Sequence, residues 1–322
     1  MADATQRVGA VVIGRNEGER LRRCLASIPP SLIVVYVDSG STDGSLKTAR
    51  AAGAQIVALE MTRPFTAARA RNEGWQALLT VAPTVDYVQF VDGDCEFEPS
   101  WVAVATAFLD AESQAAIACG RRRERFPEAS LYNRMCDAEW NTPIGEAAAC
   151  GGDALVRNAA LRDVGGFDAA LMAGEEPELC LRLRNAGWSI HRLDAPMTIH
   201  DAAMLRLGQW WLRARRSGFG FAQVWDVTRK RGEPLYAREL ARAVVWAGGL
   251  PLAALLLALV IDGRLMLLAP LAWLAQVGRL AGREGLTGAM LLVLEKFAEL
   301  SGALAYARRR LGGAAGHAIT YK

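Results

Sequence analysis

No two of the six cysteines, Cys24, Cys95, Cys119, Cys136, Cys150 and Cys180, are spaced as C-x-x-C. That excludes a C-x-x-C zinc site and argues against a disulfide framework; free thiols in a reducing compartment are expected. Charge of one sign is equally scarce. A net charge of +3 is too mild for a nucleic-acid binder. Histidine is rare, with three in the 322 residues. There is no internal repeat and no low-complexity linker. Met1 to Arg7 is polar and leads straight into an apolar run, so no secretory signal is expected. What the chain does have is apolar material. Hydrophobic residues make up 52% and charged residues 22%, enough to fill one large domain or two unequal ones.

The apolar residues fall in an alternating pattern over the first half. Val8 to Ile13, Leu32 to Val37, Gln55 to Leu59 and Val85 to Val91 read as strands. Glu17 to Ile28, Ser41 to Ala52, Ala67 to Leu79 and Ser100 to Leu109 read as the helices between and after them. Alternation of this kind predicts an α/β fold with a mostly parallel sheet flanked by helices. Residues 115 to 205 are less regular. They hold a strand near Ala115 to Cys119, a basic loop at Arg121 to Arg125 and a helix at Pro177 to Ala186.

Polar motifs sit where the strands end, the place where ligands bind in such sheets. Phe90-Val91-Asp92-Gly93-Asp94 carries two carboxylates one residue apart. At a strand end alternate side chains point the same way, so both can face one hard divalent cation. A solvated acidic turn has the same composition. Asp38 closes the second strand, where a carboxylate can accept hydrogen bonds from a ribose or a base; Ser39 to Gly44 is also what a capped β–α turn requires. Arg71 on the third helix offers a fork to phosphate or to a base carbonyl, or lies on a solvated helix face. Gly174-Glu175-Glu176 opens an amphipathic helix ending at Gly187. A carboxylate there can act as general base, and glutamates at that position also suit the helix dipole. Thr198-Ile199-His200 supplies an imidazole that is either structural or a metal ligand.

Taken together and in order, these motifs resemble the family 2 inverting glycosyltransferases of GT-A fold. The matching residues are Val12 to Glu17, Val37 to Asp43, Ala70 to Gly74, Phe90 to Asp94, Gly151 to Arg157, Val164 to Asp168, and Gly174 to Glu176 leading into Leu179 to Leu183. The resemblance covers roughly residues 8 to 220. It implies a GT-A domain over 1–220, Rossmann-like, followed by a C-terminal apolar helical region over 221–322. It implies a nucleotide-diphosphate sugar as donor, a UDP-sugar first among them, with Mg2+ or Mn2+ as cofactor and transfer with inversion. By the same resemblance Arg15, Asn16, Glu17, Asp38, Arg71, Asp92 and Gly152 bind the nucleotide sugar, and Asp94 and His200 hold the metal. Glu176 becomes the catalytic base; it stands where the family usually has the Asp of a Glu-Asp pair. Processive members usually carry a Gln-x-x-Arg-Trp motif. This chain has Gln209 and a nearby basic cluster but no Arg-Trp pair, which favours transfer of a single sugar. Two alternatives stay open: a non-catalytic sugar-nucleotide-binding scaffold, and a sugar nucleotidyltransferase.

The last third changes character. Val244 to Ile261 is eighteen residues without charge, and Leu265 to Val277 is a second apolar run, with Asp262-Gly263-Arg264 between them. The first run is close to the length that spans a bilayer, and the second is shorter. Arg238, Arg242, Arg279, Arg283 and Arg308 to Arg310 flank the runs, and Trp246 and Trp273 suit an interface. A buried helical bundle of a soluble protein would also be apolar. The expectation is association with the cytoplasmic face of the inner membrane and an acceptor there, a glycan or a lipid-linked saccharide as in polysaccharide biosynthesis.

Overall fold

The structure, a computed structural model, describes residues 7–312; of the polar leader Met1 to Arg7, only Arg7 lies within that range. The chain divides into two compact units, Met1–Ala203 and Met204–Lys322.

In the first unit, strand and helix alternate as the apolar pattern dictates. The order is β1 (Val8–Gly14), α1 (Glu19–Ser27), β2 (Ile33–Asp38), α2 (Ser45–Ala51), β3 (Gln55–Ala58), α3 (Ala67–Val81), β4 (Tyr87–Asp92), β5 (Cys95–Phe97) and α4 (Trp101–Ala111). Then come β6 (Ala115–Glu124), α5 (Leu131–Glu139), β7 (Gly145–Glu146), β8 (Ala154–Arg157), α6 (Asn158–Val164), α7 (Glu175–Asn185) and β9 (Ser189–His200). The nine strands form one sheet in the order β3-β2-β1-β4-β8-β6-β9-β5, with β7 paired to β9. β3, β2, β1 and β4 run parallel. Beyond β4 the sheet is mixed: β8 is antiparallel to both β4 and β6, while β6 and β9 are parallel. The parallel half matches the regular strand–helix alternation. The mixed half comes from the stretch in which that alternation is lost.

Close packing of helix on sheet depends on small residues. Gly74 of α3 faces β1 and β2 so tightly that a Cβ there would lie 2.4 Å from Val11 Cγ1 and 2.7 Å from Val37 Cγ2. α1 begins two residues later than the sequence pattern suggests. Asn16 and Gly18 take positive φ, 56° and 50°, and turn the chain before the helix can start. The expected basic loop Arg121 to Arg125 is largely strand: β6 continues through Glu124, pairing Arg122 with Thr198 and Glu124 with His200 after register shifts. Its arginines stay in the sheet because each meets a carboxylate: Arg121 pairs with Asp137, Arg122 with Asp92 and Asp153, and Arg123 with Glu98.

The second unit is helical: α8 (Leu207–Thr228), α9 (Ala237–Val244), α10 (Leu250–Val260) and α11 (Leu268–Gly312). α8 runs continuously through residue 220. A five-residue π-helical segment, Val245–Gly249, joins α9 to α10. α11 breaks at Gly285, whose φ of 70° and ψ of 162° are not helical. After that break α11 crosses α8 at two glycines. A Cβ on Gly218 would lie 2.0 Å from the Glu299 carbonyl oxygen, and one on Gly302 would lie 1.9 Å from that of Arg215.

Candidate active site

The parallel register brings three strand ends level. Gly14 pairs with Asp38, and Ile13 pairs with Asp92. Asp38, Gly14 and Asp92 therefore lie side by side at the carboxyl edge of the sheet. The buried Asp38 carboxylate accepts the N–H groups of Gly40 and Ser41 at 3.0 and 2.9 Å and the Tyr36 hydroxyl at 3.2 Å. It thereby folds its own turn. Asn16 ties the first loop to the second: its N–H donates to Ser41 Oγ at 2.9 Å and its Oδ1 accepts the Thr42 N–H at 2.7 Å. Arg15 is exposed and stacks over the Phe65 ring at 4.8 Å. Glu17 is buried beside Gly93 and pairs with Arg20 at 2.8 Å.

Arg71 is the hub of the next layer. It is only 3% exposed. Its Nη2 donates to Asp92 Oδ1 at 3.0 Å and to the Gly152 carbonyl oxygen at 3.2 Å, and its Nη1 binds Glu175. Arg122 approaches Asp92 from the other side, with Nη2 3.1 Å from Oδ2, while its Nε pairs with the buried Asp153 at 3.1 Å. Asp153 also accepts the Asp92 N–H at 3.1 Å and the Thr198 hydroxyl at 2.8 Å. Burial alone would raise the Asp92 carboxyl. The two guanidiniums outweigh it and hold that carboxyl below its usual value.

Asp94 and His200 meet across the β5–β9 pair. His200 Nε2 lies 3.3 Å from Asp94 Oδ2, and its Nδ1 lies 3.6 Å from Glu124 Oε2. That Nδ1 is buried without a hydrogen-bond partner among the described residues. The Trp140 ring packs edge-on against the imidazole at 4.7 Å. One ligand atom each from Asp94, Cys95 and His200 falls within 4.8 Å of the others. A carboxylate oxygen with an imidazole nitrogen suits Mg2+ or Mn2+ when substrate oxygens complete the shell. The residues present therefore fit such an ion.

Glu176 begins α7 beside Glu175. Burial, and then the Glu175 charge, push its carboxyl up to about 7, against the opposing pull of Arg71. Glu175 is held by Arg71, whereas Glu176 forms no ion pair among the described residues. The structure thus joins Arg71, Asp92 and Gly152 through hydrogen bonds and brings Asp94 to His200. Glu176 adjoins the first group through Glu175. Arg15, Asn16, Glu17 and Asp38 occupy the neighbouring strand ends. Sequence reasoning passed over Arg122, Asp153, Glu124 and Trp140. For Arg122 the signal was its place in an arginine run; for Asp153 it was the Gly151-Gly152-Asp153 motif itself.

Residues 10–155 match the family model described as Glycosyl transferase family 2. A Pre-mycofactocin glycosyltransferase of Mycobacterium tuberculosis is 27% identical over 205 residues, 60% of this chain and 42% of the relative. The chain thus spans less than half the length of that relative. The succinoglycan biosynthesis protein ExoA of Rhizobium meliloti is 24% identical over 246 residues, 71% of this chain and 72% of the relative. A solved structure described as mannosyltransferase PcManGT from Pyrobaculum calidifontis in complex with GDP-Man and Mn2+ superposes with a TM-score of 0.61 at 19% identity, covering 92% of this chain and 87% of that one. Residues 10–155 thus resemble a family 2 glycosyltransferase domain, in a sheet of GT-A fold followed by long apolar helices.

Proposed function

We propose that the protein is an inverting, divalent-metal-dependent glycosyltransferase. It moves one sugar from a nucleotide-diphosphate sugar to a hydroxyl of a saccharide or lipid-linked acceptor at the cytoplasmic face of a membrane. The observation that carries this reading is the double engagement of Arg71. One of its nitrogens grips Asp92, at the strand end suited to a diphosphate; the other grips Glu175, beside the raised carboxyl of Glu176.

In this reading Arg15, Asn16, Glu17 and Asp38 hold the nucleoside, and Arg71, Asp92 and Gly152 position the ribose and diphosphate. Asp94 and His200 would hold Mg2+ or Mn2+, which would supply positive charge to offset that of the diphosphate. Glu176 takes the proton of the acceptor hydroxyl as its oxygen bonds to the anomeric carbon and the bond to the diphosphate breaks. Attack on the face opposite the leaving group inverts the anomeric centre, as in inverting glycoside hydrolysis with the acceptor in place of water. The bound GDP-Man and Mn2+ of the Pyrobaculum mannosyltransferase support a sugar nucleotide with a divalent ion as the ligand pair. Lack of an Arg-Trp pair after Gln209 supports single transfer. The apolar helices of the second unit support a membrane-proximal acceptor, and the arginines flanking them support contact with anionic lipid.

The test is a calorimetric titration of detergent-solubilised protein with UDP, GDP and dTDP, each with and without Mn2+. Metal-dependent binding of UDP is expected, and it should disappear in Asp94→Ala. Absence of binding by all three nucleotides, in protein shown to be folded, would sink the reading. Tight binding of GDP alone would keep the transferase and replace the donor.

A further inference from the structure

The apolar helices of the second unit form a hairpin with little protein around it. Trp273 Nε1 donates to the Trp246 carbonyl oxygen at 3.0 Å, although 27 residues separate them. A straight helix of that length would hold those two positions about 40 Å apart, so the chain doubles back at residues 261–267. The first limb, Ala237–Val260, is 24 residues long, and only 11% of its most apolar stretch is buried. Leu252, Leu255, Leu256, Leu259 and Val260 are all exposed. Between the limbs the backbone leaves the α-helix: Asp262 caps a 3-10 turn over Gly263–Leu267 by accepting the Arg264 N–H at 2.8 Å.

We propose that this hairpin crosses a lipid bilayer completely, with Asp262-Gly263-Arg264 reaching the far headgroup region. The inference rests on the membrane-proximal reading above and decides between three ways of satisfying it. A hairpin lying flat in one interface needs a polar face along each limb; Val244 to Ile261 carries no charge on any face. A re-entrant hairpin would leave the turn inside hydrocarbon. Irregular backbone exposed to lipid does not occur there, because its N–H and C=O groups have no water to bind, and this turn also carries an exposed Asp and an exposed Arg. A spanning hairpin puts the turn in water. From Val244 to Ile261 the first limb rises about 27 Å, close to the ~30 Å of a bilayer core. The second limb, Leu268 to Gly278, is shorter at about 17 Å. Arg279 and Arg283 can snorkel from its end, and local thinning absorbs the rest.

Charge sets the orientation. The base of the hairpin carries Arg238 and Arg242 on one limb and Arg279 and Arg283 on the other, whereas Asp262 and Arg264 leave the tip neutral. By the positive-inside rule the base is cytoplasmic and the tip is outside.

Single cysteines test this in the full chain. All six native cysteines lie between residues 24 and 180, and nothing lies within 4 Å of a Cβ at Gly263 or Gly282. Gly263→Cys and Gly282→Cys are each treated with a membrane-impermeant maleimide, in intact spheroplasts and in inverted membrane vesicles of a bacterial host. The parent chain gives the background. The expected result is labelling of Gly263→Cys in intact spheroplasts, with Gly282→Cys labelled only in inverted vesicles. If the chain stays in carbonate-washed membranes but Gly263→Cys is labelled only in inverted vesicles, or from neither side, the spanning hairpin is overturned and membrane association survives. If the chain leaves the membrane in the wash, the membrane reading fails and the hairpin with it.

Discussion

Glu176 carries a carboxyl pushed up to about 7 by burial and by Glu175, and two consequences of opposite sign follow. As a base it works only when ionised, so kcat should fall as pH drops below about 7, approaching tenfold per unit. Glu176→Gln should lose about 10²- to 10⁴-fold in kcat and should lose the pH limb, with nucleotide binding retained. Stability runs the other way. The raised carboxyl favours the folded state fully below its unfolded value of 4.5, and that contribution is lost as pH rises towards 7. The Gln variant should therefore be at least as stable as the parent at pH 8, so a fall in rate there cannot be unfolding. A pH-rate profile alongside thermal melts of both proteins checks the pair. A second residue-scale expectation concerns Arg122, the guanidinium that sequence reasoning left in a loop. Arg122→Met strands Asp153, whose side chain is fully buried. Removing one partner of such a pair costs about 3–5 kcal/mol, to be read as a lowered denaturant midpoint. An unchanged midpoint would show that water reaches Asp153.

Among the elements, the helix crossings are less forgiving than the helices themselves. α8 and α11 approach until their backbones touch at Gly218 and Gly302. Gly302→Val should cost at least ~1–3 kcal/mol by overpacking, because the obstructing atom is a backbone carbonyl that cannot swing aside. The melting temperature in detergent should drop accordingly, whereas Gly312→Val, with open space around it, should leave it unchanged. Element by element, the first half was legible: β1, β2, β3 and β4 and the helices after them appear in the expected order, although α1 starts at Glu19 rather than Glu17 and α2 at Ser45 rather than Ser41. β5, β7, β8 and the length of β9 were not. Those strands are short or polar, and Arg121 to Arg123 read as a solvated loop because their carboxylate partners come from elsewhere in the chain, 16 to 31 residues away. Local pattern carries no information about such pairings.

For the whole molecule, the apolar surface of the second unit is the dominant feature. Leu256 and Leu259 are 53% and 74% exposed. Converting both to Asp should oppose insertion by about 2.5–3.5 kcal/mol per residue. The double variant should move from the carbonate-washed membrane pellet to the supernatant or to aggregates, and a variant that stays in the pellet would argue that these positions face protein.

The sequence by itself determined the strand–helix alternation, the strand ends that carry Asp38 and Asp92, and the apolar limbs with their arginine flanks. Each of these is written in neighbouring residues, through periodicity, caps and charge. Only the tertiary structure decided that Arg71 links Asp92 to Glu175, that Arg122 and Asp153 brace the same carboxylate, and that His200 faces Asp94 across two strands. These are meetings of residues 21 to 106 positions apart. They are set by sheet order and register, and register is fixed only once every strand has found its neighbour.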